Sequence, residues 1–224
     1  VRFGPLPVQV DSTAPAVHGD PLPAPFVVAA SFLVGSIPFC GIAARVLRGV
    51  DLRQVGTGTV SGSALYQVAG FVPLAGAGIL DVAKGALGPW LAGPHRRGLG
   101  ALAAAAAICG HNWSPLLRGA GGRGISPGIG ALLVLAPEGA GVVLGGLAVG
   151  RIVRQTAAVT LASLGVLAVL LGRRRGRPGL ATAASIGIPI VAKRLAGNRL
   201  PRRTPRHELA RVLLSRLLFD RDPA

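Results

Sequence analysis

Charge is scarce in this chain. Only 14% of its 224 residues are charged, half are hydrophobic, and the mean hydropathy is +0.57. A soluble domain carries about 25% charged residues. So little charge cannot coat a water-facing surface of this size, and a membrane removes the need for one. Acidic residues number 8 against 24 basic ones, and Lys84 and Lys193 are the only lysines. A formal charge of +16 raises the question of nucleic acid. Against it stands the shortage of aromatics: one Tyr, two Trp and six Phe give little to interleave with the arginines. Two isolated cysteines, Cys40 and Cys109, form neither a disulfide framework nor a metal box, and read as small buried hydrophobes. The first 25 residues lack the continuous apolar core of a signal peptide. Their prolines suggest a flexible tail. No internal repeat is visible.

What remains is a succession of apolar runs. "FVVAASFLVGSIPFCGIAARVL", Phe26 to Leu47, is long enough to cross a bilayer, which takes roughly 20 residues. Ala64 to Gly93 is longer than one simple span and contains Asp81 and Lys84. "LGALAAAAAICGHNWSPLL" reads as a third span and "IGALLVLAPEGAGVVLGGLAVG" as a fourth, with Pro137 and Glu138 near its middle. "TAAVTLASLGVLAVLLG" follows, then the arginine cluster "RRRGRPG" and a weaker window, "LATAASIGIPIVAKRLAG". Abundant Gly and Ala suit close helix packing, because small residues let backbones approach.

The expected fold is therefore all-α: a polytopic integral membrane bundle of about five to seven transmembrane helices. Arginines around Arg45–Arg53, Arg118–Arg123, Arg173–Arg177 and the C-terminal tail set the N-terminus outside and the C-terminus in the cytoplasm. That orientation needs an odd number of spans: seven if Ala64–Gly93 is two helices, five if the last window does not cross. Three segments follow: a tail over 1–25, a transmembrane domain over 26–197, and a basic amphipathic tail over 198–224. In the last, Leu209, Val212, Leu213, Leu217 and Leu218 recur at helical spacing, with Arg211 and Arg216 elsewhere. Such a helix lies on an anionic membrane surface or packs on the protein's own face.

Polar, glycine-rich loops beside apolar spans carry the chemical information, since irregular backbone at membrane depth must be buried in protein or line a wet cavity. "GSIPF" sets Ser36 beside the helix-bending Pro38; a plain kink, with the hydroxyl bonded to backbone, is the simplest account. "GTGTVSGS", Gly56 to Ser63, follows Asp51 and Arg53 and could converge amides and hydroxyls on an anion. A helix beginning near Ala64 would aim its positive end there. It is not a dinucleotide fingerprint, because Ser61 takes the last glycine's place. "GAGGRGIS" resembles a P-loop superficially, but Ile125 stands where the lysine belongs. Gly121, Gly122, Arg123 and Gly124 could still cradle a phosphate, the guanidinium gripping it with two parallel bonds. His111 stands just ahead of that loop.

In order and spacing these motifs resemble the PlsY family, the membrane glycerol-3-phosphate acyltransferases that use acyl-phosphate as donor. "GSIPFCG" matches the family's G-S-x-P-x-G; "DLR" and "GTGTVSGSA" match its D-x-R and G-S-G-N-x-G-A-T-N; "LDVAKG" follows at Leu80–Gly85. The family's G-H, nine residues and G-G-K-G appear as Gly110-His111, nine residues and "GGRG" at Gly121–Gly124. The resemblance covers about Phe26 to Gly197. Thr59 and Ala64 replace the motif's asparagines, Arg123 its lysine and Pro127 a threonine. The C-terminal Arg-His-x-x-Asn keeps Arg194, has Leu195 at the histidine, and Asn198 near its end.

The resemblance implies a multi-pass acyltransferase of the cell membrane with a cytoplasmic active face. It implies transfer of an acyl chain from acyl-phosphate to the 1-hydroxyl of glycerol-3-phosphate. It implies Ser36 and His111 as catalytic residues, and Arg53, Gly56, Thr57, Gly58, Ser63, Gly121, Gly122, Arg123 and Gly124 as phosphate ligands. No cofactor or metal is implied, and the partners are the two substrates and membrane lipid, with no nucleic acid. The substituted motif residues keep open a non-catalytic paralogue that binds lipid phosphate or a protein. Asp81, Lys84 and Glu138, ionisable residues inside apolar runs, keep open a transporter of a phosphorylated solute.

Overall fold

The computed structural model describes residues 21–197 and 206–220. Among them the chain is helical, without strands. The run from Phe26 to Leu47 is not one rod: α1 (Ala24–Gly35) and α2 (Phe39–Arg48) part at Ser36–Pro38. Pro38 lacks an N–H and sits at φ −92°, ψ 73°, outside the helical region. Ala64–Gly93 also divides. Ser61 caps the short α3 (Gly62–Ala69), Gly70 turns the chain at φ 83°, and α4 (Phe71–Ala92) follows as one long helix. α5 (Arg97–Asn112) returns beside it.

The fourth apolar run is a hairpin. α6 (Ile125–Leu135) and α7 (Pro137–Ile152) meet at Ala136, whose backbone is extended, and Pro137 starts the second helix without needing a donor. Only Pro137 and Glu138 interrupt the apolar run, which hid this turn. α8 (Thr156–Ala196) is a second hairpin. Its helix is interrupted at Gly176, with φ 60° and ψ −140°. Arg194 donates to the Ala157 carbonyl at 2.6 Å, so the ends of the two arms lie together. The arginine cluster expected as a loop between spans is therefore the hairpin's apex. α9 (Arg206–Phe219) packs across the end of α8.

These connections define two ends. At one, Arg96 donates to Leu22 O at 2.6 Å, and Arg175 pairs with Glu138 at 2.8 Å and donates to Leu135 O. At the other lie His111, the 119–123 loop, Lys193, Arg194 and α9. α1–α2, α4, α5, α6, α7 and the two arms of α8 make seven passes between them. Among the described residues, three stretches are long and apolar enough to cross a membrane by length and composition: Ala24–Arg48, Phe71–Ala92 and Thr156–Ala196. Arg173–Arg177 lies at the first end, with Leu22. It does not share a face with the Arg45–Arg53 and Arg118–Arg123 loops, as charge counting had it.

Glycine sets how closely the passes cross. A Cβ on Gly35 would strike the Ala107 backbone, and one on Gly110 the Phe32 carbonyl, so α1 and α5 touch backbone to backbone. Gly85 meets Pro127 and Gly130 meets Val82 in the same way between α4 and α6. Around these crossings Ile108, Leu132, Leu167, Leu171, Ile186 and Ile190 form the main core. Phe71, Val72, Ile79, Trp90 and Ile188 point outward. Large apolar groups exposed on many helices fit a lipid surround.

Candidate functional site

The break between α1 and α2 places Ser36 at the second end of the bundle, opposite the last turn of α5. A small cleft opens there, lined by Ser36, Cys40, Asp81, His111, Gly121 and Gly122 among others. Five chain segments thus converge: the α1–α2 break, the 56–63 loop at Val60, mid-α4, the end of α5, and the 113–124 loop.

Each wall has a local cause. Ser36 Oγ donates to Phe32 O at 2.8 Å, the backbone bond expected of a kink serine, while Ser114 Oγ donates to Ser36 O at 2.6 Å. Ser36 is buried and lines the cleft. His111 is nearly enclosed. Gly122 N–H donates to His111 O at 3.1 Å, folding the loop back over the ring. A Cβ on Gly122 would collide with the Nε2 edge of that imidazole, and one on Gly121 with the His111 and Asn112 carbonyls. These two glycines serve close approach. Gly124, at φ 75°, turns into α6 against Asn112, whose Nδ2 donates to Pro189 O at 2.9 Å.

Asp81 lines the cleft and Lys84 pairs with it; the sequence left them as ionisable residues inside an apolar run, open to a transport reading. Lys84 Nζ lies 2.8 Å from Asp81 Oδ1, donates to Ile37 O at 2.7 Å, and rests 5.5 Å from the Phe39 ring. Cys40 Sγ donates to Asp81 Oδ2 at 3.3 Å. His111 Nδ1 stands 3.9 Å from Asp81 Oδ1. A buried carboxylate survives only when paired, and here the pair is one helical turn away on the same helix. The available signal was "LDVAKG" itself, an acid and a base at that spacing in an apolar run.

Of the remaining anion-binding candidates, Arg53, Gly56, Thr57, Gly58 and Ser63 are not among the residues that line the cleft, although Val60 of the same loop is. The 56–63 loop reaches the 121–124 loop through Val60 N–H to Gly121 O at 3.3 Å. Gly56 and Gly58 both have left-handed backbone, at φ 52° and 71°. Thr57 is exposed, with its hydroxyl 3.0 Å from that of Thr59. Ser63 is exposed in the first turn of α3. Arg53 turns to Asp51, contacting its carboxylate through Nη2 at 2.6 Å, and Arg45 adds a contact at 2.8 Å. The Arg53 hydrogen bond, reinforced by Arg45, holds the Asp51 carboxyl well below the usual range against the opposing effect of desolvation.

Arg123 points away from the cleft lining. Its Nη2 lies 2.8 Å from Asp220 Oδ1, and its Nη1 donates to Lys193 O at 3.2 Å. Burial pushes the Asp220 carboxyl up, opposed by Arg123 and Arg194. Lys193 is itself buried, donating to Gly119 O at 3.1 Å over the Trp113 ring. Arg194 also reaches Leu217 O at 3.4 Å. α9 thus packs on the protein's own face. Val212 and Arg216 face α8, Arg216 donating to Leu195 O and Ala196 O, while Leu209, Leu214 and Phe219 are exposed. Arg216 therefore lies on the packing side, and Leu209 does not. Asn198 lies outside the described residues.

The fold and cleft define a class: a helical membrane protein with a polar cleft under glycine loops at one end. The glycerol-3-phosphate acyltransferase model matches residues 25–196, and the chain belongs to that family. It is 30% identical over 204 residues to glycerol-3-phosphate acyltransferase 5 of Dehalococcoides mccartyi, covering 86% of each chain. It is 42% identical over 112 residues to glycerol-3-phosphate acyltransferase 2 of Moorella thermoacetica, covering 48% of this chain and 56% of that one. Its fold matches the crystal structure of PlsY, an integral membrane glycerol 3-phosphate acyltransferase, in its glycerol 3-phosphate form. There the TM-score is 0.70 at 23% identity, over 90% of this chain and 96% of the other. The lysophosphatidic acid form of PlsY matches with a TM-score of 0.68 at 21% identity, over 87% and 93%.

Proposed function

We propose that the chain transfers an acyl group from acyl-phosphate to the 1-hydroxyl of glycerol-3-phosphate, giving lysophosphatidic acid and inorganic phosphate. The observation that carries this reading is the convergence of Ser36, His111 and Gly121–Gly122 on one cleft, in a chain of this family. His111 takes the proton of the attacking hydroxyl at Nε2. Ser36 turns its hydroxyl from Phe32 O toward the acyl carbonyl oxygen as negative charge develops there. Donors fixed around developing charge are commonly the largest catalytic contribution. The phosphate leaves with its bonding electrons, and no covalent enzyme intermediate is required.

The two substrates are anions, and the rim is cationic. Arg53, Gly56, Thr57, Gly58 and Ser63 form one phosphate wall. Gly121, Gly122, Arg123 and Gly124 form the other, with Arg123 exchanging Asp220 for phosphate. The catalytic unit is 26–197, with 1–25 and 198–224 as tails. The cleft end faces the cytoplasm of the cell membrane. It carries Arg45, Arg48, Arg53, Arg118, Arg123, Arg151 and Arg154, and basic loops are retained on that side. The acyl chain reaches the cleft from the bilayer, past the exposed apolar surface of α2.

Purified protein in lipid, given acyl-phosphate and glycerol-3-phosphate, is expected to release phosphate and form lysophosphatidic acid. Background release only, with a working family member active alongside, would overturn the proposal.

A further inference from the structure

For acyl transfer Ser36 must meet substrate, yet it sits at a break between two helices. A break leaves backbone groups to satisfy. Pro38 has no N–H to give, and irregular backbone at membrane depth needs partners from the protein. The Ser36 hydroxyl serves Phe32 O, one turn back in α1. The next carbonyls, of Ser36 and Ile37, are met by side chains from distant parts of the chain. Ser114 Oγ donates to Ser36 O at 2.6 Å, and Lys84 Nζ donates to Ile37 O at 2.7 Å. Ile37 O also takes the Phe39 N–H, at 3.2 Å. Ser36, Ser114 and Lys84 are all buried.

We propose that Ser114 and Lys84 are positioning residues for Ser36: they clamp the two carbonyls of the α1–α2 break and so hold Ser36 in the cleft wall. Each clamp is itself anchored. Ser114 O accepts from the N–H groups of Leu117 and Gly119 at 3.0 and 2.9 Å, and Gly119 O takes the Lys193 ammonium at 3.1 Å. The first clamp thus runs on to the second arm of α8. Lys84 Nζ pairs with Asp81 Oδ1 at 2.8 Å and lies 5.5 Å from the centre of the Phe39 ring, so the second clamp grips the chain on both sides of Pro38.

The inference rests on the acyl-transfer reading for what Ser36 does, but not for how it is held. On a fixed backbone the Ser36 hydroxyl leaves Phe32 O by rotating about one side-chain bond. On a drifting backbone the oxygen itself moves, and a misplacement of about 1 Å can cost about 100-fold in rate. Ser114 also belongs to the segment that carries Gly121 and Gly122, which line the same cleft. Its bond to Ser36 O therefore sets the spacing between the serine and the glycine loop. This gives the buried pair in mid-α4 a task as well: Asp81 fixes the ammonium that holds Ile37.

The first test does not depend on turnover. Hydrogen exchange is followed by mass spectrometry on the full chain in nanodiscs, wild type beside Ser114→Ala. Exchange over 36–42 is expected to rise about 5- to 10-fold, the factor a buried hydrogen bond commonly carries, while α4 and α6 keep their protection. No rise over 36–42, or a rise shared by the whole bundle, rejects the clamp whatever the chain catalyses. The second test is kinetic. Ser114→Ala is expected to lower kcat about 5- to 10-fold at unchanged KM for glycerol-3-phosphate, a split that loosened packing alone would not give. Lys84→Met/Asp81→Asn, which removes the other clamp and both buried charges, is expected to do the same. Wild-type kcat in either folded variant rejects the positioning role of its residue. Ser36→Ala separates this inference from the reading beneath it. That variant is expected to lose about 10²–10³ in kcat, and adding Ser114→Ala is expected to lower it no further. A repeat of the Ser114→Ala loss in that background shows that Ser114 acts elsewhere and overturns the proposal. Full kcat in Ser36→Ala rejects the role of Ser36 in acyl transfer and leaves the clamp to be judged by exchange.

Discussion

Asp220→Asn separates the two demands on Arg123. In the substrate-free protein its guanidinium is 2.8 Å from the Asp220 carboxylate and also bonds Lys193 O. A phosphate that uses Arg123 must break the first contact. A hydrogen bond to a charged group contributes about 1.5–3 kcal/mol. Asp220 keeps a third of its side-chain exposure, so solvent screening brings the figure down to about 1 kcal/mol. Removing the charge should not release α9, because Arg216 still holds Leu195 O and Ala196 O, and Arg194 still reaches Leu217 O. At about 1.4 kcal/mol per tenfold, KM for glycerol-3-phosphate is expected to fall roughly fivefold with kcat unchanged. The assay is phosphate release at saturating acyl-phosphate with glycerol-3-phosphate varied, beside a thermal melt of the same sample. An unchanged or raised KM in a folded variant would refute the exchange of Asp220 for phosphate on Arg123.

Three other outcomes are expected. His111→Gln should lower kcat about 10²–10⁴-fold with an unchanged melting temperature, since the ring's contribution is chemical; phosphate release and a melt together check it. Gly130→Ala should destabilise by about 1–3 kcal/mol, because the added methyl meets the Val82 backbone, whereas Gly141→Ala, in open space within α7, should be neutral or stabilising by up to about 1 kcal/mol; thermal melts in one detergent compare them. Asp51 titrates below an ordinary carboxylate because of Arg53, so its contribution is complete above about pH 4 and is lost as pH falls below that. Protease cleavage of the 49–62 loop should therefore be constant from pH 5 to 8 and rise toward pH 3 under an acid-active protease.

Helical class and motif order were legible because they depend on composition and local spacing. Low charge excluded a water-facing surface, and the spacing of Gly110-His111 and "GGRG" brought two cleft walls into one frame. The turns were less legible. Ala136–Pro137 reverses the chain inside a run that only Pro137 and Glu138 interrupt, and Gly176 does so inside a helix with arginines on both sides. The α6–α7 reversal needs no polar loop, so a search for polar interruptions passes over it, whereas the arginine cluster marked the break at Gly176. What such turns leave in the sequence is a proline that can start a helix and a glycine that accepts a positive φ.

The same blindness governed the charges. Counting arginines by loop treated Arg173–Arg177 and Arg118–Arg123 as one population. Which end a cluster occupies depends on the parity of all passes before it, so one missed reversal moves every later cluster to the other side. The α6–α7 hairpin is that missed reversal. It sends the α8 apex to the end of Leu22, and the second arm then returns Lys193 and Arg194 to the cleft end. The odd number of passes survives, but its seventh member comes from α6–α7 and not from Ala64–Gly93. Asp81 and Lys84 gave an ambiguous signal for a related reason. In sequence they are two charges in a greasy run, equally consistent with a transport path. Only the break at Pro38 and the close α1–α5 crossing at Gly35 and Gly110 bring Ser36 and His111 to the same depth. The site is therefore a product of backbone contacts made by glycine, which sequence reveals as composition but not as partners.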